Sequence, residues 1–359
     1  MIKLSLATVL LLGVSSLSAD KNIEAEVSIY AQNIDVSGTN KDSGYSVGSI
    51  SIDYITNSFN NFTGNFGVRA NHKITEKEKE DYEDDNPSAI VSIANISYEN
   101  ENLKAIAGKQ EIDLEWIGDF HNALTVDTSI LEDTELIFGY TNGLVVADND
   151  APLESYTRVV DKNGKDSYAY FIDVKYRQLS NVVINPYFLS SKDLFKGYGL
   201  KVEFEDIQKV NFLIHLAKSD EDVQNTQNGY ILNLESSYSI LDTVETKFGY
   251  IQTDKDGGIG SLASYGDNIN PFEEGNYVYN PDSDTFYLGA EAQINEIGIS
   301  ALYGVSEYGT NNNREREFDI SFSYEFYNNI ESKFVFTDIN GENNSDDITK
   351  ISALVAYKF

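Results

Sequence analysis

The chain has 359 residues, no cysteine and a formal net charge of −32 at pH 7. A charge this negative argues against nucleic-acid binding, because phosphates would be repelled. The missing cysteines exclude disulfides, thiolate metal sites and a lipoprotein anchor. The 24 Tyr and 19 Phe argue against a disordered acidic chain.

The first nineteen residues have the pattern of a secretory signal peptide. Lys3 provides the charged start, and Leu4 to Val14 form a short apolar run. Small residues follow, and cleavage is predicted after Ser18 or Ala19. The apolar run is too short for a transmembrane helix. We therefore expect an exported protein whose residues 20–359 form a single domain.

The mature chain then shows one alternating segment after another. Ile23, Ala25, Val27 and Ile29, for example, alternate with polar residues, which puts one apolar and one polar face on a strand. This pattern predicts about eighteen strands, with sixteen as the alternative count. The predicted strands are 23–36, 45–57, 62–73, 88–99, 102–110, 121–131, 133–147, 166–178, 182–190, 196–206, 209–219, 228–240, 243–253, 284–295, 297–307, 315–327, 330–339 and 348–359.

The gaps between these strands alternate in length. Gaps after even-numbered strands are tight turns, whereas most gaps after odd-numbered strands are longer and polar, such as 74–87, 148–165 and 254–283. Short periplasmic turns and long extracellular loops are typical of bacterial transmembrane β-barrels. A soluble β-sandwich has no reason to sort its loops in this way. The predicted fold is an all-β, antiparallel transmembrane barrel in the outer membrane of a Gram-negative bacterium.

In such a barrel the polar face of each strand lines the lumen, and with this many strands the lumen holds water. The strands then place acidic and basic side chains on the inner wall. Two interpretations remain open: a transverse field that favours polar solutes, or local cross-strand ion pairs that only hydrate the wall. The candidates are Asp53, Arg69, Asp173, Lys175, Arg177, Lys201, Glu203, Glu235, Lys247, Glu291, Asp319 and Lys333.

The segment 111–120 is the candidate constriction of the pore. Its candidate residues are Glu111, Asp113, Glu115, Trp116 and Asp119. If the segment folds into the lumen, its acids raise the local concentration of cations. The alternative is that these acids solvate an exposed loop.

The last predicted strand, 348–359, alternates up to the aromatic pair Tyr357 and Phe359. It must pair with the strand that starts at Ile23, because an open edge is not tolerated in lipid. The strand is therefore expected to close the barrel wall.

Two patches resemble the OprD-like porins, in particular their Campylobacter-type branch. The first is Gly108 to Trp116 followed by Thr125 to Asp133, and the second is Gly260 to Asn268 with Pro271 to Gly275. The resemblance implies an eighteen-strand barrel that passes small solutes, an inward-folded third outer loop and, as one option, a homotrimer. The sequence departs from the family pattern at Lys109, where arginine is usual, and shows no basic ladder for carboxylates.

We therefore expect a porin that allows passive diffusion of small hydrophilic solutes and ions, with mild cation preference and without cofactor or reaction. Its expected partners are the lipid bilayer, lipopolysaccharide and the solutes themselves. The alternative function is a surface adhesin or structural anchor that uses its long loops.

The sequence gives weaker support to two further functions, catalysis and calcium binding. Catalysis is disfavoured because His72, His121 and His215 are widely separated and no Gly-x-Ser-x-Gly elbow is present. Calcium binding is a minor option, because the acidic stretches Glu76 to Asp85 and Asp254 to Gly258 offer oxygen ligands without the spacing of a known calcium loop.

Overall fold

The structure, a computed structural model, describes residues 22–38, 41–83, 86–129, 131–161, 163–224, 226–326, 329–343 and 347–359. Its eighteen strands are β1 Ile23–Val36, β2 Ser43–Ile55, β3 Phe62–Glu76, β4 Ala89–Asn100, β5 Leu103–Glu111, β6 Phe120–Thr128, β7 Thr134–Val145, β8 Ala169–Leu179, β9 Val182–Ser191, β10 Phe195–Ile207, β11 Val210–Glu221, β12 Gly229–Leu241, β13 Val244–Thr253, β14 Asp284–Ile294, β15 Ile297–Tyr308, β16 Asn313–Phe326, β17 Ile330–Asn340 and β18 Ile348–Lys358. The predicted signal peptide, 1–19, lies outside the described residues.

The strands form one closed antiparallel sheet. Each strand pairs with its neighbours in the chain, and β18 pairs with β1 from Glu26–Lys358 to Val36–Ile348. The predicted fold class and the count of eighteen strands are confirmed, and the alternative count of sixteen is wrong. Closure matters in lipid because every backbone N–H and C=O group must find a partner within the protein.

The two faces of the wall differ in polarity, as the alternation predicts. Ile29 and Leu288 are 55 % and 60 % exposed on the outside, whereas Ser28 and Tyr287 on the same strands are 2 % exposed and point inward. An apolar outer surface of this kind is stable only against lipid. Within the described ranges, no helix is long and apolar enough to cross a membrane.

Pro186 lies within β9, where its missing N–H leaves a gap in the sheet. The pairing of β9 with β8 is interrupted between Asp173–Tyr187 and Tyr176–Ile184. The side chain of Asn185 fills this gap, because its Nδ2 donates to Val174 O at 2.8 Å. Such an interruption is expected at a proline within a strand, since a proline cannot donate to the ladder.

The largest apolar cluster lies inside the barrel rather than between two sheets. It combines inward-facing strand residues such as Phe171 and Ile231 with loop residues such as Trp116, Leu262 and Tyr265. The loops involved are 112–119 after β5 and 254–283 after β13. A wide barrel that is closed by its own loops leaves only part of its lumen open.

Candidate constriction of the barrel lumen

The 112–119 loop lies inside the lumen and packs against the wall formed by β9 to β11. Trp116 is 2 % exposed, and its Nε1 donates to Tyr187 Oη at 2.7 Å. The same Tyr187 Oη hydrogen-bonds His215 Nε2 at 2.6 Å. Because a buried indole N–H needs an acceptor, this chain of hydrogen bonds fixes the position of the loop.

A buried ion pair fixes the same loop a second time. Lys201 Nζ of β10 lies 2.6 Å from Glu115 Oε1, and both side chains are largely buried. Separating such a pair leaves an uncompensated charge, which costs about 3–5 kcal/mol. Glu115 and Trp116 therefore differ from the expectation that they line the passage, since both face the wall.

The other three constriction candidates lie closer to open space. Glu111 and Asp119 line a cavity in the lumen. Asp113 is exposed and accepts a hydrogen bond from Asn268 Nδ2 of the 254–283 loop at 2.9 Å. The structure thus divides the segment into an anchoring part and a lining part.

The 254–283 loop crosses the lumen from β12 towards β16. It starts against Gly229 of β12, where a Cβ atom would lie 2.2 Å from Gly260 N; only glycine permits this approach of two backbones. Its apolar patch packs inward, with Ile259 and Leu262 6 % and 0 % exposed. The loop is therefore part of the barrel interior.

Three acids on β16 hold the far end of this loop. Glu317 accepts hydrogen bonds from Glu274 N at 2.9 Å and Gly275 N at 2.8 Å. Asp319 accepts one from Glu273 N at 3.3 Å, and Glu315 one from an asparagine of the loop at 3.5 Å. Carboxylates that accept backbone N–H groups make strong, charge-assisted hydrogen bonds.

The 146–168 loop also enters the lumen, and it is held by its backbone. Asn71 Nδ2 donates to the carbonyls of Asp148 and Ala151 at 2.8 and 2.6 Å. Ser49 Oγ donates to Asn149 O at 2.7 Å. These donors are inward-facing residues of β2 and β3, so the loop tip lies against that side of the wall.

A cavity of about 270 Å³ opens beside this loop tip. Four acids from four elements line it, namely Glu26 of β1, Glu111 of β5, Asp119 of the 112–119 loop and Asp148 of the 146–168 loop. We call it the acid-lined cavity.

Enclosure and like charges act on the two loop acids of this cavity. Asp148 reaches the water of the lumen but has protein on most sides, and this burial, with the nearby carboxylates of Asp150 and Asp119, raises its pKa to about 6. Burial and the charges of Glu111 and Glu154 raise the pKa of Asp119. A low local dielectric makes such fields stronger than in bulk water.

The charged residues predicted for the wall all lie on its inward face, and several pair with a close neighbour. The pairs are Arg69 with Asp53 at 3.5 Å, Lys201 with Glu203 at 3.3 Å and Lys247 with Glu291 at 3.2 Å. Of the two interpretations of the wall charges, these contacts favour local ion pairs over a transverse field.

The remaining wall candidates have other neighbours. Asp173 accepts from Asn185 Nδ2 at 2.9 Å and Glu235 from Tyr287 Oη at 2.7 Å. Lys333 lies 3.7 Å from Glu273 of the 254–283 loop. Lys175 and Arg177 follow Asp173 on the same face of β8 towards the periplasmic end.

The three histidines serve separate structural positions. His121 hydrogen-bonds Gly118 O at 2.7 Å and Thr141 Oγ1 at 3.0 Å, His215 hydrogen-bonds Tyr187, and His72 is exposed on the outer face. In the part of the chain that the structure describes, no group of three His, Asp or Glu could hold a metal ion.

A closed barrel with an apolar outside, a polar inner wall and loops that narrow the lumen has the architecture of a porin. No protein-family model matches the sequence, and no curated protein matches it.

Solved structures share the fold. OccAB4 of Acinetobacter baumannii is 14 % identical with a TM-score of 0.78, and the match covers 94 % of this chain and 98 % of that one. OpdO of Pseudomonas aeruginosa is 13 % identical with a TM-score of 0.77, covering 95 % and 97 %. OccK7 (OpdD) of the same organism is 15 % identical with a TM-score of 0.72, covering 95 % and 99 %.

These structures are OprD-like porins with eighteen strands. The resemblance to this family that the sequence indicates is confirmed at the level of the fold, and the Campylobacter-type branch stays a prediction.

Sequence reasoning did not foresee the contacts that hold the loops, although Glu115, Lys201 and Asp319 were among its candidate residues. The 146–168 loop is held through backbone carbonyls, which leave no residue signature. The acids Glu315, Glu317 and Asp319 do carry a signal, because three acids at alternate positions put three negative charges on one face of β16. Because like charges so close together repel one another, such a row indicates that hydrogen-bond donors or cations come from elsewhere in the fold.

Proposed function

We propose that the protein is an outer-membrane porin of a Gram-negative bacterium, which allows passive diffusion of small hydrophilic solutes and ions with a mild preference for cations. The proposal involves no reaction and no cofactor. Its partners are the lipid bilayer around the apolar outer surface of the barrel, lipopolysaccharide at the outer loops and the solutes in the lumen.

The acid-lined cavity is the observation that carries this proposal. Loops from three parts of the chain enter the lumen, and four acids line a cavity beside them. Acidic side chains in a narrow, partly dry passage attract cations and repel anions. The shared fold with OprD-like porins supports the pore itself.

Conductance in a planar lipid bilayer tests both the pore and its cation preference. Insertion of purified protein under a KCl gradient is expected to give stepwise currents, and the reversal potential is expected to have the sign of a K⁺-preferring pore. Absence of steps would contradict the pore. A Cl⁻-preferring reversal potential would overturn the cation preference and leave the pore intact.

The adhesin or anchor function depends on long loops that reach outward. The longest of them, 254–283, packs inside the barrel instead, with Leu262 and Tyr265 fully buried. No specific contact favours this second function. OprD-like porins are typically monomeric, so the homotrimer is not part of the proposal.

A further inference from the structure

The acid-lined cavity has a strongly uneven charge. Glu26, Glu111, Asp119 and Asp148 line it, and Arg69 is the one base among the described residues around it. Arg69 is already engaged, because its Nη1 lies 3.5 Å from Asp53 Oδ2 and its guanidinium lies 4.7 Å from the centre of the Phe120 ring. A solute in the cavity therefore meets an excess of carboxylates.

A buried hydroxyl gives a second, independent indication of a ligand. Ser28 lines the same cavity and is 2 % exposed, yet its Oγ has no hydrogen-bond partner among the described residues. Leaving a buried polar atom unpaired costs free energy. A solute that donates a hydrogen bond to Ser28 Oγ would remove this cost.

The spacing of the acids favours an organic ligand over a metal ion. No group of three His, Asp or Glu within the described ranges could hold a metal, so the four carboxylates are spread around the cavity. The volume of about 270 Å³ is well above what one water needs. An elongated cation with a donor at each end meets such a distribution better than a point charge does.

We propose that the acid-lined cavity is a binding subsite for small aliphatic amines, above all diamines, on their way through the pore. One ammonium group donates to the carboxylates of Asp119 and Asp148, and the other donates to Glu26 and to Ser28 Oγ. Carboxylate solutes are disfavoured, because four acids line the cavity and its one arginine, Arg69, already contacts Asp53. This inference rests on the proposed pore function and names the solute class for it.

Block of the K⁺ current by 1,4-diaminobutane tests the subsite. The diamine is expected to reduce the current in a saturable way, whereas butanol and butyrate at equal concentration are expected to leave it unchanged. Equal block by Ca²⁺ and by the diamine would assign the effect to charge alone and overturn the proposal.

Variants locate the effect. Asp148→Asn is expected to raise the half-blocking concentration about tenfold, the value of one charge-assisted hydrogen bond. Ser28→Ala is expected to raise it about threefold, in line with a neutral hydrogen bond. Glu245→Gln, which removes an inward-facing acid of β13 away from the cavity, is the matched control and is expected to behave as the wild type. Unchanged block in both cavity variants would contradict the assignment.

Calorimetric titration of the detergent-solubilised barrel with 1,4-diaminobutane separates the subsite from the pore. Saturable heat without conductance would reject the pore function and support the subsite. Conductance without heat and without block would reject the subsite and support the pore.

Discussion

The surroundings of Asp148 are unusual for an aspartate. Burial, Asp150 and Glu154 of its own loop, and Asp119 of the 112–119 loop all raise its pKa, whereas Arg69 of β3 lowers it, with a net value of about 6. An ordinary aspartate titrates near 3.9. Asp148 therefore gains a proton, and loses its negative charge, as the pH falls through about 6.

Cation preference is accordingly expected to depend on pH. Between about pH 7.5 and about pH 5 the K⁺ preference should fall, since Asp148 becomes neutral while ordinary carboxylates stay charged. Reversal potentials under a KCl gradient at the two pH values measure this change.

Two variants make the pH experiment specific. Asp148→Asn should show a weaker K⁺ preference at the higher pH and little further change on acidification. Glu245→Gln should keep the wild-type pH dependence. An Asp148→Asn pore that still loses its preference near pH 6 would mean that another group titrates there.

At the scale of single elements, one carboxylate of β16 holds the far end of the 254–283 loop through two hydrogen bonds. Glu317 accepts two backbone N–H groups of that loop, from Glu274 and Gly275, and a salt bridge of 2.5 Å between Lys350 and Glu274 adds to it. A loop held in this way opens only when these bonds break together.

The variant Glu317→Gln should loosen this loop. A glutamine keeps one acceptor oxygen and turns an N–H₂ group towards a backbone N–H, so the loss is about 1–3 kcal/mol of local stability. We expect noisier currents and faster hydrogen exchange in residues 270–280. Glu325→Gln, an exposed position near the periplasmic end of the same strand, serves as the control. Identical noise and exchange in the two variants would show that Glu317 does not hold the loop.

The strands could be predicted closely from the sequence, whereas the loop anchors could not. Alternation with period two decides which residues face lipid, and it predicted all eighteen strands to within a few residues, β9 with its proline included. The partner of Lys201, in contrast, is Glu115 from a distant loop. Nothing local in the sequence encodes such a contact, because it depends on how far a loop reaches into the lumen.

The residues of the candidate site were likewise predicted only in part. The acids of the 111–120 segment were expected near a constriction, and Glu111 and Asp119 do line the cavity. The contribution of Glu26, Ser28 and Asp148 was not foreseen. These residues come from β1 and from the 146–168 loop, and only the closed barrel brings them together.

At the scale of the whole molecule, the apolar outer surface makes the stability of the barrel depend on the bilayer. Leu288 lies near the middle of β14 on the outer face and is 60 % exposed. Leu288→Lys should lower the free energy of unfolding in phospholipid vesicles by about 2–4 kcal/mol, as measured by urea titration. Ser300→Lys, on the neighbouring β15 and facing the lumen, should cost much less. Equal losses for the two variants would contradict the assignment of the faces.

The pairing of β1 with β18 has a consequence for how the barrel is made. These two strands are the ends of the sheet in chain order, and they meet from Glu26–Lys358 to Val36–Ile348. Contacts between residues so distant in the chain are slow to form, since loop-closure entropy must be overcome first. The pairing of β1 with β18 is therefore expected to form last. Until it forms, the exposed edges of these two strands are sites where a folding catalyst or another chain can add a strand.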